Sequence, residues 1–209
     1  MARFEQQDHG GTRILEIRFD SESIQADAGM VCRATGHLTI AVPWFTRLKQ
    51  ILQGTVSDEA LRRSVYAGTG SVSLQIREGH FYVFELQEES WILEREVYAA
   101  SEIGVEVGCH RESLRTSLPA GEGLLWLQTR VRGRGNVVLA TAGPVERVEI
   151  RPGEQFVEEG ASILGRTAGV TMRAADVSRN FQGRGSDSDK SLRVFSGTGE
   201  VLVDSRSRV

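Results

Sequence analysis

The sequence predicts an all-β protein assembled from internal repeats. One short phrase occurs three times: Gly68-Thr69-Gly70-Ser71-Val72-Ser73-Leu74, Gly133-Arg134-Gly135-Asn136-Val137-Val138-Leu139 and Gly197-Thr198-Gly199-Glu200-Val201-Leu202-Val203. The steps between first glycines are 65 and 64 residues, and Tyr66, Val131 and Phe195 stand two places ahead of each copy. After the first phrase Val72, Leu74 and Ile76 alternate with Ser71, Ser73 and Gln75, the period of a half-buried strand. Self-similarity at a long fixed period means equivalent structural units, and 65 residues is more than one hairpin.

The phrase reads as strand, glycine turn, strand, because glycine reaches positive φ without steric cost. A phosphate-cradling loop would need a following helix, and in the P-loop case a Lys-Ser/Thr pair. All three copies run instead into alternating apolar sequence. The repeat continues: Gly104-Val105 and Gly169-Val170 each lie 36 residues beyond a first glycine, and Trp91, Glu94 and Val107 match Phe156, Glu159 and Met172. Asp27-Ala28-Gly29-Met30-Val31 resembles Glu158-Glu159-Gly160-Ala161-Ser162 and suggests an earlier, incomplete copy. The expected organisation is a single domain over 1–209, with units near 13–60, 61–124 and 125–190 and closing strands 191–209.

Along the chain, Leu15, Ile17 and Phe19 are expected to face inward, with Glu16 and Arg18 outward. Asp20-Ser21-Glu22-Ser23 reads as a turn before a second strand region, Ile24 to Ile40. From Pro43 to Leu52 the period changes: Trp44, Phe45, Leu48, Ile51 and Leu52 fall at helical spacing, either a plug on the β core or an apolar contact surface. Asp58 to Arg63 is a charge run. Phe81-Tyr82-Val83-Phe84 reads as buried strand, while Glu94, Arg95 and Glu96 read as outward-facing charges. A second unit opens at Leu124-Leu125-Trp126-Leu127. Gly143-Pro144 and Pro152-Gly153 are turns bracketing a strand from Val145 to Ile150. Residues 174–190 are polar and glycine-rich, the composition of a surface loop.

Composition narrows the function classes. With 209 residues, 40% of them hydrophobic, the chain can bury a substantial core. A net charge of −3 lacks the basic footprint of a nucleic-acid binder, so no nucleic-acid partner is expected. The start, Met1 to Asp8, is too acidic and polar for a signal or transit peptide. No apolar run approaches the about 18 residues of a membrane span, so no integral membrane segment is expected. Two cysteines, Cys32 and Cys109, suit a reducing cytosol better than a disulfide framework, and a cytoplasmic location is the expectation.

The residues form no chemical constellation. His9, His37, His80 and His110 are widely separated, and a metal site of cupin type needs clustered His and carboxylate ligands. Cys109-His110 is a local pair where three or four ligands are required. Cys32 can act as a nucleophile only beside a histidine in space, and no Gly-x-Ser-x-Gly elbow occurs. No catalytic, cofactor-binding or metal-binding residue is nominated, no cofactor is expected, and the expectation is a non-enzyme.

The glycine pattern also carries a resemblance. Gly133-x-Gly135-x-Val137, Ala142-Gly143-Pro144-Val145, Pro152-Gly153-Glu154, Val157 to Ala161 and Gly169-Val170 resemble the altered inheritance of mitochondria protein twenty-four family. The likeness runs from about Ile14 to Val203. It implies a pseudo-threefold all-β fold similar to the tryptophan RNA-binding attenuator class, a double-stranded β-helix or β sandwich. Mitochondrial members are linked to inner-membrane organisation, bacterial members have no assigned activity, and the resemblance carries no catalytic residue. The expected role is a self-associating β scaffold, a homo-oligomer with an unknown protein partner, through the Trp44–Leu52 stretch or the sheet edges. The alternative is a small-molecule-binding protein or enzyme with a pocket in the β core.

Overall fold

Alternating, β-branched sequence punctuated by glycine gives long strands that bend without ending. The computed structural model describes residues 2–9, 11–41, 63–117, 126–174 and 192–208. In chain order its strands are β1 (Arg3–His9), β2 (Thr12–Asp27), β3 (Val31–Ala41), β4 (Arg63–Ile76), β5 (His80–Leu93), β6 (Tyr98–Glu102) and β7 (Val105–Arg111). After a helical turn at Leu114–Ser117 come β8 (Leu127–Thr141), β9 (Val145–Ile150), β10 (Gln155–Glu159), β11 (Ile163–Thr167), β12 (Val170–Ala174), β13 (Leu192–Gly197) and β14 (Gly199–Asp204). The fold is all-β and every strand pair is antiparallel.

One sheet runs β3-β4-β2-β6-β8-β5-β11-β14-β9, with β1 added to β2 and β7 to β8, and a second sheet runs β10-β13-β12. Around each glycine phrase the pairing is alike. β4 lies between β2 and β3, and β8 between β5 on one side and β6 and β7 on the other. β13 and β14 lie between β10 and β9 on one side and β12 and β11 on the other.

The phrase itself is a bend, not a reversal. β4 and β8 pass through it unbroken, and the third copy is interrupted at Thr198 alone. Gly133 shows why glycine stands there: its φ is 110°, and a Cβ would lie 2.5 Å from the Gly104 carbonyl oxygen. That carbonyl accepts the Arg134 N–H at 3.3 Å across the bend. At Gly135, φ is 137° and a Cβ would lie 2.9 Å from the Glu102 carboxylate, which instead accepts the Asn136 N–H at 2.7 Å.

Val72, Leu74, Val137, Leu139, Val201 and Val203 are all fully buried, as the alternation predicts. So are Leu15, Ile17 and Phe19, while Glu16 is half-buried and Arg18 exposed. Three apolar clusters result. The first gathers Leu15, Ile17, Ile24, Tyr66 and Leu74 with Phe81. The second gathers Phe84, Leu86, Trp91, Val131 and Leu139 with Leu202. Trp126, Ile150, Met172, Phe195 and Val201 lie in the third. Each large side chain removed from water contributes about 1.5–3 kcal/mol.

Two expectations need correction or placement. Asp20 to Ser23 is no turn: β2 runs on through a register shift between Phe19 and Glu22, with Ser21 at φ 54°, so a bulge absorbs the polar residues within one strand. The Pro43–Leu52 stretch, the charge run up to Arg62, Leu124 and Leu125, and residues 175–190 lie outside the described residues.

Candidate functional site

Charged and polar side chains from four strands and two connections converge beside the second and third clusters. Glu94 follows β5, its backbone N–H donating to the Leu164 carbonyl at 2.9 Å. Glu112 follows β7, and its N–H donates to the Trp126 carbonyl at 3.0 Å. His110 lies on β7, Gln128 on β8, Arg166 on β11 and Arg193 on β13. The backbone ladders therefore deliver two carboxylates, two guanidiniums, an amide and an imidazole to one place.

Glu94 Oε1 accepts from Arg193 Nη1 at 2.9 Å and from Gln128 Nε2 at 2.8 Å. The Arg193 guanidinium also lies over the Trp126 ring, 4.6 Å from its centroid. Arg166 pairs through Nη2 with Glu112 Oε1, and its Nη1 donates to the Val170 carbonyl at 3.0 Å. His110 Nε2 lies 3.4 Å from the same Glu112 oxygen. Gln128, Arg166, Arg193 and Glu112 are 2%, 5%, 5% and 9% exposed. Charges this buried persist only when paired.

Burial pushes the Arg166 guanidinium down to about 10, Arg193 pushes the same way, and Glu94 opposes both. It stays charged at neutral pH. The His110 imidazole is held below its usual range by burial, then by Arg166 and Arg130. Glu112 would pull it upward, but Arg166 already neutralises that carboxylate.

Glu94 is therefore not the outward-facing charge expected of it, although Arg95 and Glu96 are exposed. Its partner Arg193 lies 99 residues away, and only the pairing of sheets brings them together. The cysteines and histidines weighed in the sequence lie as follows. Cys32 is exposed on β3 and donates to the Ser73 carbonyl, not to a histidine. His37 is exposed on β3, His80 opens β5, and Cys109 with His110 lies on β7. Neither cysteine is in a disulfide. Among the described residues no three His, Cys, Asp or Glu side chains are grouped to hold a metal ion.

An open cleft of about 370 Å³ adjoins the cluster, lined in part by Glu94, Trp126, Thr141, Ile163 and Asp204. Two of its carboxylates are engaged by the protein: Glu94 as above, and Asp204 accepting the N–H groups of Gly143 and Arg206, each at 2.9 Å.

The outer edges contrast with this sealed interior. Among the described strands β3 pairs with β4 alone, and every residue of β3 except Val31 and Leu38 is exposed. Ile40 is 57% exposed there, and β10, which pairs with β13 alone, carries Val157 at 49%. Among the described residues no helix is long and apolar enough to cross a membrane.

Fold and site thus define an antiparallel all-β protein whose bent strands are clamped by a buried ion-pair cluster. The chain belongs to the family described as mitochondrial biogenesis AIM24, whose model matches residues 4–206. A crystal structure of protein SPYM3_0169 from Streptococcus pyogenes is similar in fold, with a TM-score of 0.73 at 16% identity, over 98% of this chain and 94% of that one. No curated protein matches the sequence.

Proposed function

We propose that this chain is a non-enzymatic, self-associating β scaffold, built as a pseudo-threefold array of one repeated β unit in the manner of a double-stranded β-helix. The units are 12–76, 80–141 and 145–204, a different phase from the 13–60, 61–124 and 125–190 expected from sequence, because a cut near 60 would part β3 from β4. Register supports this phase. Ile24 faces Tyr66, Trp91 faces Val131 and Phe156 faces Phe195. Three residues ahead, Ser21, Glu88 and Gly153 all have positive φ, at 54°, 64° and 86°. A glycine of each unit, Gly36 within β3, Gly104 between β6 and β7 and Gly169 between β11 and β12, packs against the carbonyl of the residue between the paired glycines: Thr69, Arg134 and Thr198.

The observation that carries self-association is the β3 edge beyond its register shift at Val31/Arg33: eight residues with no proline, and no charged side chain from Ala34 to Ala41 other than His37 when protonated. Proteins protect long edge strands with lysine, proline, bulges or cover, because an unprotected edge recruits another chain. The engaged carboxylates of the buried cluster support a structural part for it over a catalytic one. Size-exclusion chromatography with light scattering tests the reading at tens of micromolar. An oligomer is expected, and a monomer would end the proposal.

A second reading rests on the cleft beside Trp126, whose volume falls within the range of small-molecule sites. Native mass spectrometry of the protein as purified tests it. A stoichiometric adduct lost on Trp126→Ala would favour binding, and an unmodified mass would leave the scaffold alone.

A further inference from the structure

One guanidinium on the face of the buried cluster has no carboxylate of its own. Arg166 pairs with Glu112, Arg193 with Glu94 at 2.9 Å, and Arg132 with Glu106 at 2.7 Å. Arg130 is exposed two residues before Arg132 on β8, and its Nε donates to the neutral Ser90 hydroxyl at 3.0 Å. Among the described residues its Nη1 and Nη2 have no partner. The neighbouring carboxylates are each neutralised by another arginine, and the Arg130 charge is left over.

Strand pairing sets that charge beside an empty position. Gly108 of β7 lies directly opposite Arg130, Ile92 of β5 lies opposite it on the other side, and Arg166 of β11 follows in the row. Directly opposed residues send their side chains to one face, so the four positions form a line across the sheet. Gly108 contributes no side chain to that line, and a Cβ there would meet nothing within 4 Å. At Gly104 and Gly133, by contrast, a Cβ would strike a carbonyl oxygen at 2.5 Å. The result is a notch one side chain deep, floored by Gly108 and walled by Arg130. His110, two residues along β7, shares the face and forms a second wall. Burial first, then Arg166 and Arg130, disfavour its imidazolium, so positive charge prevails at the notch. The cleft beside Trp126 is a separate place, lined by none of Gly108, His110 and Arg130.

We propose that this notch binds a small oxyanion, the phosphoryl group of free phosphate or of a phosphate monoester, through the two Nη groups of Arg130. With Nε held by Ser90, the guanidinium is fixed in orientation and presents its Nη1–Nη2 edge, a fork that matches two oxygens of one anion. An uncompensated guanidinium attracts a dianion more strongly than a monoanion, which favours phosphate over a carboxylate. The missing side chain at Gly108 leaves room for the anionic head alone, and the remainder of an ester stays in water.

Isothermal titration of the whole chain with sodium phosphate, at an ionic strength held constant with sodium chloride, tests the site. Wild-type protein is expected to bind one phosphate with a Kd on the order of 1 mM, and acetate more weakly. Gly108→Val fills the notch without striking a neighbour, so it should weaken binding roughly tenfold while the melting temperature is unchanged. Arg130→Gln should weaken it by a similar factor. Arg134→Gln removes another exposed charge from the same strand and should leave binding as it was. Phenyl phosphate binding as well as phosphate supports an ester as the ligand, and binding of phosphate alone supports the free ion. Wild-type protein without saturable binding overturns the proposal. So does a loss in Arg134→Gln equal to that in Arg130→Gln, which would mean diffuse attraction to a basic strand, and so does acetate binding as tightly as phosphate. Gly108→Val protein that binds like wild type would put the anion elsewhere and overturn the notch. Should Gly108→Val not fold, Gly108→Ala carries the same test.

Discussion

Arg166 and Arg33 occupy the same register position, three residues before Gly169 and Gly36, yet meet opposite fates. Arg166 lies 5% exposed between β5 and β14, clasping Glu112 and the Val170 carbonyl. Arg33 lies on the open flank of β3. Strand pairing on the other side is not what separates them, since both strands pair with a glycine-phrase strand, β14 and β4. The neighbour is: β5 seals β11, and no described strand seals β3. One side chain type is thus a core ion in one unit and a surface charge in another.

The largest effect should come from unpairing the sealed arginine. Glu112→Ala leaves a buried guanidinium without its carboxylate and should cost about 3–5 kcal/mol by denaturant unfolding. Arg33→Ala should change monomer stability by less than about 0.5 kcal/mol. Replacing both Glu112 and Arg166 by apolar residues of similar size should cost much less than Glu112→Ala alone. Equal losses at positions 33 and 112 would mean that the two environments do not differ as described.

A smaller effect contrasts two glycines of the β7–β8 pair, Gly133 opposite Val105 and Gly108 opposite Arg130. Gly133→Val forces a branched side chain into φ 110° and against the Gly104 carbonyl, and should cost about 2–3 kcal/mol. Gly108 has ordinary backbone angles and nothing within 4 Å of a Cβ, so Gly108→Val should be near neutral in the same thermal melts. Comparable losses at both would remove the steric account of the bend.

Much of this was legible beforehand because it is local. Period-two alternation gave the inward faces of Leu15, Ile17 and Phe19, and the glycine spacing marked the bends near Gly68, Gly133 and Gly197. The family resemblance followed from the same glycines. Gly36 escaped notice because its step to the next phrase is 32 residues, where Gly104 and Gly169 need 29 and 28. The bulge at Ser21 was hidden because a polar tetrapeptide reads alike as a turn or as an outward kink within a strand. The Glu94–Arg193 and Glu112–Arg166 pairs were invisible for a different reason: their partners lie 99 and 54 residues apart, and only sheet order joins them. A charged residue's solvent exposure is a tertiary property, and no local pattern encodes it.

The smallest effect should appear in the pH profile through His110. Burial, Arg166 and Arg130 lower its folded pKa, whereas an unfolded chain carries the ordinary value near 6.5. Above that value both states hold a neutral imidazole, and the residue adds no pH dependence. As pH falls through it, the unfolded chain takes up the proton first, so stability declines on acidification. The slope from one such group cannot exceed about 1.4 kcal/mol per pH unit. Between pH 7 and 5.5 the protein should lose stability through His110, by less than that ceiling allows. His110→Gln should flatten the melting temperature over that interval by the corresponding amount. A wild-type protein that gains stability on acidification would instead mean that Glu112 outweighs the two arginines, and that the cluster holds His110 as a cation.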